Sequence, residues 1–521
     1  MTSQTAPRWM PRVRIEHLWL SLPVALVVWF GFVNPLRLFD FWWHLKAGEI
    51  IVSGRSVPQN DLFSFTAAGK PFLLQSWLAE VLYYAVYRMG GLPSLIVMNT
   101  ALLVVTLVPV YALCLQAAGR LRLGVIATFP AAFGLVYFGH IRTQVFSFLL
   151  FAIFYWILST YRRRERDLLW ALAPLMILWV NLHGAFVLGL GLMLLFCGCE
   201  VALRLIRGAQ PDTLSPTELR KLAAWCGLTA LATLANPHTY RLYSAVVAVM
   251  TDPASQSFVV EWQAPRVDRL GLLIFYGPFL VTLCVLLYAK QRPGLTESCL
   301  FVGFAVFALS ALRNAIWFVL VACPLLACYL PMLDWQTFFE PLRRFRRIDA
   351  FATWVKHRAE AGATAPIRHG LNTLLIGLMF ASSATVSPWL RPHLGSKRLG
   401  AALWDPKTPV GAMDYIGQHH LQGNIFHPQA YGDYLIWRLW PDQRSFFDSR
   451  VHLFGKPLVE DYLLVFYDSH WEERLAPYGI RYLLLAKDDE GERMMIDAAW
   501  ASPHWRKLYE DEVSVLFEHL P

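Results

Sequence analysis

The stretch at residues 39–49, FDFWWHLKAGE, places an acid, two tryptophans and a histidine directly after a long apolar run at residues 18–38. A carboxylate at such a position can accept the proton of a hydroxyl group and so act as a general base. Tryptophan side chains are also typical of the interface between lipid and water, where they anchor a membrane protein. The stretch is therefore either a functional site or an anchor, and the surrounding elements must decide between the two.

The composition predicts a polytopic membrane protein. The chain has 521 residues, of which 56% are hydrophobic and 16% are charged, and its mean hydropathy is +0.41. Soluble proteins have about 25% charged residues, and these figures also exclude the disordered and fibrous classes. The eight cysteines lie in or beside apolar segments, so we expect small buried side chains and no disulfide framework. The first apolar run ends without a small-residue cleavage site, which indicates an uncleaved anchor.

Eleven segments are apolar enough to predict transmembrane helices, each of which needs about 20 residues. They lie near residues 18–38, 93–116, 122–139, 144–161, 167–182, 185–203, 222–236, 270–289, 296–312, 315–333 and 370–388. With the N-terminus inside, every inside loop is basic, as the positive-inside rule requires. Residues 1–17 are then a cytoplasmic tail, residues 18–390 a transmembrane domain with an outside loop at 39–92, and residues 391–521 an outside domain.

One more segment, at residues 72–91, is apolar. If it crossed the membrane, the basic segment YRRRERD would lie outside, against the positive-inside rule. We interpret it as an interfacial or re-entrant helix. Its Trp77 and its three tyrosines suit an aromatic belt at the membrane surface.

The final domain differs in charge from the rest of the chain. It contains 14 Lys or Arg and 19 Asp or Glu, a net charge of −5, so the overall net charge of +9 arises in the transmembrane part. We attribute that excess to topology and to attraction by anionic lipid, and we find no nucleic-acid-binding motif.

The sequence pattern of the final domain predicts a small sheet covered by helices. The predicted strands are GNIFH, DYLIWRL, SFFDSR, IRYLLLA and VSVLFEH, and the predicted helices are TPVGAMDYIGQHH and LVEDYLLVFYDSHWEERLAPYG. Asp433, Asp448 and Arg450 fall at predicted strand ends, where an internal Asp–Arg pair is favoured over catalysis. The three histidines of HHLQGNIFH lack a zinc spacing, so we expect structural roles for them.

Polar side chains collect at the outside ends of the predicted helices, whereas the inside offers mainly basic runs. The candidates for a functional site are Asp40, Trp43, His44, Asp61, Arg142, Gln144, His183, Glu261 and Arg313. Structural roles are open for the same side chains. Asp40 could cap a helix and Trp43 could anchor the chain at the interface. The histidines could be packed polar residues, and Arg142 could pair with lipid phosphates.

Residues 40–92 resemble the first outside loop of the GT-C glycosyltransferases, especially the aminoarabinose-transferase and protein-mannosyltransferase branch. That loop has an acid straight after the first helix, a short amphipathic helix, a G…P turn, a Lys-Pro element, a Trp-Leu helix and a glycine. The matching residues are Asp40, Gly54, Pro58, Lys70, Pro71, Trp77, Leu78, Gly90 and Gly91, in that order. The similarity continues through GHIRTQVFSFLLF and NLHG. The phrases DFWWHL and GDYLIW…DSR also resemble a group of bacterial membrane proteins of this type.

Composition and resemblance together imply a mainly α, GT-C-like protein of about 11 membrane helices with a small C-terminal α/β domain. The resemblance places it in the bacterial plasma (inner) membrane, with that domain on the outer, periplasmic face. The implied activity is an inverting transfer of a sugar from a polyprenyl-phosphate donor to an envelope lipid, glycan or protein acceptor.

The resemblance also implies roles for the candidate residues. Asp40 is the expected base for the acceptor hydroxyl, and Arg142 is expected to stabilise the leaving phosphate, assisted by His183 or Arg313. Trp42 or Trp43 would stack on a sugar face. Some GT-C branches use a divalent metal. The resemblance therefore allows a divalent metal in this protein but does not require one. The candidate ligands for one are Asp40, His44, Asp61 and Glu261.

The sequence departs from the family at positions that carry charge. Phe41 stands where the mannosyltransferases have a second acid, and Gln144 replaces the second outside acid. His183 replaces the usual lysine. Two further readings therefore stay open: a ligase or polymerase of lipid-linked glycans, and a non-catalytic protein of envelope-polysaccharide assembly or transport.

Overall fold

The computed structural model describes residues 13–210, 213–333, 369–394 and 403–520. Most of the predicted cytoplasmic tail and of the predicted inside loop at 334–369 lies outside the described residues. The first part of the structure is a helical bundle. Its helices are α1 (Ile15–Val33), α2 (Phe41–Gly54), α3 (Trp77–Ala118), α4 (Leu121–Phe138), α5 (Gln144–Arg162), α6 (Leu172–Leu182), α7 (Phe186–Arg207), α8 (Pro216–Ala232), α9 (Arg241–Met250), α10 (Pro253–Phe258), α11 (Arg269–Tyr288), α12 (Leu295–Ser310), α13 (Ala315–Tyr329) and α14 (His369–Thr385).

Seven helical segments among the described residues are long and apolar enough to cross a membrane. They are α1, α3, α4, α5, α7, α11 and Leu312–Met332, which contains α13. Shorter apolar helices at Leu169–Leu182 and Leu295–Ser310 occupy two more predicted positions, and α8 and α14 occupy the last two. The chain is a multi-pass membrane protein, and each of the eleven predicted segments contains a helix. That all eleven cross the membrane stays a prediction.

The predicted separate helix at residues 72–91 is the first part of α3. Its regular geometry is interrupted at Gly90 and Gly91, and Gly91 has a φ of 65°, in the left-handed region that favours glycine. The part before this break packs against α2, where Gly48 lies directly on the backbone of Glu80. The part after it packs in the bundle against α4 and α5.

Helix α13 forms the centre of the bundle. Nearly all of its side chains are buried, and it packs against α3, α4, α11 and α12. Gly134 of α4 allows this close approach, because a Cβ atom there would lie 2.9 Å from side-chain atoms of Ile316 and Val319. Small residues at helix contacts are typical of membrane bundles, where packing rather than the hydrophobic effect holds helices together.

Basic segments of the described residues that were predicted to lie on one side meet at one end of the bundle. Arg162 donates a hydrogen bond from Nε to Glu200 Oε1 at 2.6 Å and also pairs with Glu297, and Arg164 Nε donates to Glu218 Oε1 at 2.9 Å. Helix α5 has 19 residues and therefore spans about 28 Å from this end to its start at Gln144. The loop after α2 and the C-terminal domain lie at the end where α5 starts.

The C-terminal domain is the predicted small sheet covered by helices. Its elements are α15 (Val410–Gln418), β1 (Asn424–Phe426), α16 (Gln429–Leu439), α17 (Val451–Phe454), α18 (Lys456–Val465), α19 (Trp471–Leu475), β2 (Ile480–Ala486), α20 (Glu490–Ala501), β3 (Trp505–Glu510) and β4 (Ser514–His519). The strand order is β1-β2-β4-β3, with β1 parallel to β2 and the other pairs antiparallel.

Two of the five predicted strands are wrong. The segment DYLIWRL belongs to α16, and SFFDSR is an irregular loop with one isolated bridge between Ser64 and Ser445. Both segments are apolar because they are covered on several sides, and a short apolar run has no periodicity that separates a strand from a buried helix. The strand β3 and the helix α20 were missed.

The phrases DFWWHL and GDYLIW…DSR pack against each other. The ring of Trp42 meets that of Tyr434 edge to face at 5.0 Å, and Trp43 Nε1 donates a hydrogen bond to Ser449 Oγ at 3.1 Å. Gly432 lets α16 approach the loop of the DSR phrase, since a Cβ atom there would lie 2.4 Å from the carbonyl oxygen of Phe447. The two phrases that stood out in the sequence thus form one interface.

We expect Gly432→Ala to lower the melting temperature of the purified protein, because the added methyl group meets backbone that cannot move freely. Overpacking of this kind costs about 1–3 kcal/mol. The matched control is Gly417→Ala in α15, where the nearest atom would lie at an ordinary contact distance of 3.5 Å. Equal melting temperatures for the two variants in detergent would contradict the tight contact at Gly432.

Candidate active site

A cavity lies between the membrane bundle and the C-terminal domain. It has two adjoining lobes with volumes of about 670 Å³ and about 540 Å³. Side chains from both domains line both lobes, namely Asp40, Thr143, His183, Val249, Arg313, Ser449 and His452. Eight of the nine predicted site residues therefore line this cavity. Asp40, His183 and Arg313 line both lobes, Arg142, Gln144 and Glu261 line one lobe, and Trp43 and His44 line the other.

Arg142 bridges two carboxylates at the edge of the cavity. Its Nε donates a hydrogen bond to Asp40 Oδ1 at 2.9 Å, and Nη1 donates to both carboxylate oxygens of Glu261 at 2.8 and 3.1 Å. The guanidinium lies over the ring of Phe39, 4.6 Å from its centroid. The second oxygen of Asp40, Oδ2, receives no hydrogen bond from the described residues and is open to the cavity.

The charges of this triad are mutually stabilised. Burial alone lowers the pKa of Arg142, but Asp40 and Glu261 more than reverse this and raise the pKa above its usual value. Burial likewise raises the pKa of Glu261, and the contact with Arg142 outweighs it, so that the Glu261 pKa is lowered. The charged forms of Arg142 and Glu261 thus stabilise each other.

Arg313 is a cation of the cavity that lines both lobes and the apolar side of the site. Its guanidinium lies over the ring of Trp262, 4.5 Å from the centroid, and forms no ion pair or hydrogen bond with the described residues. The backbone N–H of Leu312 donates to the carbonyl of Gln263 at 2.8 Å, which holds Trp262 beside Arg313. A desolvated guanidinium with free donors is suited to bind a phosphate group.

His183 is a neutral hydrogen-bond donor in the same place. Its Nδ1 accepts the backbone N–H of Ala185 at 3.2 Å and lies 3.0 Å from Ser147 Oγ, so the ring proton is assigned to Nε2. Burial, together with the nearby Arg313, lowers the pKa of His183 to about 3. The Nε2 atom has no partner among the described residues, which leaves its N–H for a ligand.

An apolar arm of about 120 Å³ opens from the polar cavity. Gln144, His183 and Arg313 stand at its polar end. Its walls are Val187, Leu188, Val246, Val249, Met250, Phe307 and Trp317. The arm runs between the ends of α7, α9, α12 and α13. A ligand with an apolar tail and an anionic head would match this sequence of surroundings.

Three predicted site residues have other surroundings. His44 Nδ1 lies 2.9 Å from Glu80 Oε1 in a buried pair, and Trp43 binds Ser449, although both rings still line one lobe. Asp61 does not line the cavity: it is 4% exposed and accepts hydrogen bonds from the backbone of Phe63 and Ser64 and from Arg450. Asp61 connects the two domains.

The four residues named as candidate metal ligands are not brought together. Asp40 and Glu261 both bind Arg142, whereas His44 and Asp61 are paired elsewhere. Within residues 13–210, 213–333, 369–394 and 403–520, no group of three or more His, Cys, Asp or Glu side chains is arranged to hold a metal ion. These four side chains therefore do not form together the metal site for which they were the candidate ligands.

Several cavity residues were not predicted. Asp433, Ser449 and His452 reach the cavity from the C-terminal domain. The GDYLIW…DSR phrase was the available signal, but it was interpreted as structural. Part of that interpretation is confirmed, since Arg450 forms a buried double hydrogen bond with Asp448, at 2.9 and 2.6 Å.

Arg450 also crosses the domain boundary. Its Nη1 donates to Asp61 Oδ1 at 2.5 Å, so that one buried guanidinium is shared by two aspartates. Burial alone lowers the pKa of Arg450, but Asp448 and Asp61 more than reverse this and raise the pKa above its usual value. The first outside loop and the C-terminal domain are joined by this ion cluster and by the backbone hydrogen bonds between Ser445 and residues 63 and 65.

Comparison with solved structures finds the same architecture in known glycosyltransferases. The oligosaccharyltransferase of Archaeoglobus fulgidus matches with a TM-score of 0.57 and 13% identity, over 93% of this chain and 70% of that one. Arabinofuranosyltransferase AftD from Mycobacteria matches with a TM-score of 0.51 and 12% identity, over 96% of this chain and 41% of AftD.

ArnT from Cupriavidus metallidurans, solved with undecaprenyl phosphate, matches with a TM-score of 0.46 and 15% identity, over 96% of this chain and 97% of that one. No protein-family model matches the sequence, and a search of curated proteins finds no match. The first two similarities show that this chain has the GT-C fold, which confirms the fold predicted from the resemblance.

We expect Arg450→Gln to destabilise the protein strongly, because it leaves two carboxylates buried without their cation. Removal of one partner from a buried ion pair costs about 3–5 kcal/mol. Thermal unfolding in detergent measures the effect, and Arg444→Gln, an exposed arginine in the same loop, is the control that should change little. Similar melting temperatures for both variants would contradict a role of Arg450 in joining the domains.

Proposed function

We propose that this protein is a membrane glycosyltransferase that moves a sugar from a polyprenyl-phosphate carrier to an acceptor of the cell envelope. One observation supports this above all: an apolar arm ends at a free guanidinium and a neutral histidine, and an open carboxylate oxygen lies in the adjoining cavity. This order of surroundings matches the lipid tail, the phosphate and the reacting sugar of such a donor.

The carrier phosphate binds beside Arg313 and His183 in this proposal. Arg313 supplies the positive charge, and the Nε2–H of His183 donates a hydrogen bond without a charge of its own. The negative charge on the phosphate grows as its bond to the sugar breaks, so fixed donors at this position stabilise the transition state more than the ground state. The apolar tail lies in the arm, where little water competes for these contacts.

Asp40 acts on the acceptor. Its free Oδ2 accepts the proton of the acceptor hydroxyl as the hydroxyl oxygen forms a bond to the anomeric carbon. The bond from that carbon to the phosphate oxygen breaks, and the phosphate leaves with the electron pair. Direct displacement inverts the anomeric centre.

Arg142 has a different role from the one expected from sequence. Two of its nitrogens already bind Asp40 and Glu261, so it has little capacity left for a phosphate. We infer that Arg142 positions Asp40 by holding Oδ1, and that Arg313 is the cation for the leaving group.

Further parts of the proposal follow the resemblance. The acceptor is a lipid, glycan or protein on the outer, periplasmic face of a bacterial inner membrane, where the cavity and the acidic C-terminal domain would lie. Ligation or polymerisation of lipid-linked glycans would use the same groups on longer chains and is the alternative activity.

We expect Asp40→Asn to reduce sugar transfer by about 10²-fold or more while the protein stays folded, because the amide cannot accept the proton. The assay supplies polyprenyl-phosphate sugars extracted from native membranes and measures released polyprenyl phosphate by mass spectrometry. Glu49→Gln, on the same helix but away from the cavity, should keep full activity. Full activity of a folded Asp40→Asn variant would exclude the base role.

We expect Arg313→Gln to weaken binding of undecaprenyl phosphate by about 10- to 100-fold, since it removes a charged hydrogen-bond donor worth about 1.5–3 kcal/mol. Titration followed by native mass spectrometry measures the bound lipid. The control is Arg266→Gln, an exposed arginine of the loop after Trp262. Binding that is unchanged in Arg313→Gln would move the phosphate site elsewhere.

A further inference from the structure

The carboxyl group of Asp433 lies in the cavity wall that the C-terminal domain provides. Asp433 is 1% exposed, and its Oδ1 accepts hydrogen bonds from Ser449 Oγ at 2.9 Å and from the Ser449 backbone N–H at 3.3 Å. Its Oδ2 receives no hydrogen bond from the described residues and is not sealed off from the cavity. No Lys, Arg or His of the described residues forms an ion pair with it.

The position of this carboxyl group is fixed by the interface between the two sequence phrases. Ser449, which donates to Asp433, itself accepts the indole N–H of Trp43 at 3.1 Å. Gly432 brings the helix close enough to the DSR loop for these contacts. A connected chain of hydrogen bonds therefore runs from the helix that begins at Asp40 to the acid in the opposite wall.

The surroundings of Asp433 disfavour a negative charge. The charged and titratable groups around its lobe and in the loop packed on α16 are Asp40, Arg37, Tyr137, Arg142, His183, Glu261, Arg313, Asp448, Arg450 and His452. Arg37 and Arg313 line the lobe but form no ion pair with Asp433. Arg142 and Arg450 are each shared by two other carboxylates. Burial, followed by the repulsion of Asp448 and Asp40, raises the pKa of Asp433 well above its usual value. The raised pKa favours the protonated carboxyl group, in which the free oxygen carries a hydrogen that it can donate.

We propose that Asp433 binds a hydroxyl group of the acceptor beside the hydroxyl that Asp40 activates, and that the acceptor is accordingly a sugar unit with neighbouring hydroxyl groups. This inference rests on the proposed transferase function. The two acids differ in their partners: Asp40 accepts a hydrogen bond from Arg142, whereas Asp433 has no cationic partner among the described residues and can donate from its free oxygen when protonated. Of two adjacent hydroxyl groups on a sugar, one can donate a hydrogen bond to Asp40 while the other accepts a hydrogen bond from Asp433. A phosphate acceptor, by contrast, would place its negative charge beside the carboxyl groups of Asp40, Glu261 and Asp433.

The same inference explains how the cavity obtains its carboxyl groups although two acids of the family pattern are absent at positions 41 and 144. Phe41 packs between the rings of Trp42 and Tyr83 and faces an aromatic core, and Gln144 is neutral. Glu261 and Asp433 instead bring carboxyl groups to the cavity from other parts of the chain. Asp433 is a binding residue for the acceptor in this arrangement, and it takes no part in proton transfer.

The test is the pH dependence of transfer in the wild-type protein, Asp433→Asn and Asp433→Ala, with extracted membrane glycolipids as acceptors. Wild-type activity should fall as the pH rises through the raised pKa of Asp433, because ionisation removes the donor and adds a negative charge beside Asp40. Asn keeps a neutral donor and the Oδ1 contact with Ser449, so this variant should stay within about threefold of wild type at neutral pH and lose that fall. Ala should raise the KM for the acceptor by about tenfold or more.

The controls separate the possible failures. Asp442→Asn, an exposed acid after the same helix, should behave as wild type. Binding of undecaprenyl phosphate should be unchanged in both Asp433 variants, since the carrier site lies at Arg313. A wild-type protein that transfers no sugar would overturn the proposed function itself. Transfer by the wild type with the same fall at high pH in Asp433→Asn, or with an unchanged KM in folded Asp433→Ala, would overturn the role of Asp433 alone.

Discussion

A single buried guanidinium joins the two parts of this protein. Arg450 forms one ion pair with Asp448 of its own domain and another with Asp61 of the loop that follows α2. An unpaired charge in a protein interior costs several kcal/mol, so this cluster is stable only when both aspartates are in place. The loop and the C-terminal domain must therefore fold against each other. The cavity between them has walls from both, and its geometry depends on this contact.

The charged side chains are distributed unequally around the cavity. Their positions determine where the donor and the acceptor bind in the proposed reaction. Arg142 is shared by Asp40 and Glu261, so its effect is local: it orients Asp40 and leaves one carboxylate oxygen free. Arg313 has only the ring of Trp262 as a partner among the described residues and stands where the apolar arm ends. A free cation at the lipid side and a free anionic oxygen at the other side suit a donor that loses a phosphate and an acceptor that loses a proton.

The sequence was informative where a property depends on the local environment alone. Hydropathy predicted the positions of the bundle helices, and the positive-inside rule grouped basic loops that the structure describes at one end of the bundle, because both patterns follow from contact with lipid and water. The segment DYLIWRL was predicted wrongly, since its apolar character comes from burial between α2 and the sheet. The pairing of Arg142 with Asp40 and Glu261, 102 and 119 residues away, had no sequence signal. Such contacts are decided by how helices pack, which no local pattern records.

The departures from the family pattern have a physical explanation in this arrangement. An acid in place of Phe41 would face the buried rings of Trp42 and Tyr83, where an unpaired carboxylate is costly. The cavity receives its further carboxyl groups from Glu261, on a loop of the bundle, and from Asp433, on a helix of the C-terminal domain. What the fold requires is a set of oxygen atoms around one space, and different segments can supply them. The C-terminal domain is then part of the site and not a cover over it, because one of those acids is held in place by Trp43 through Ser449.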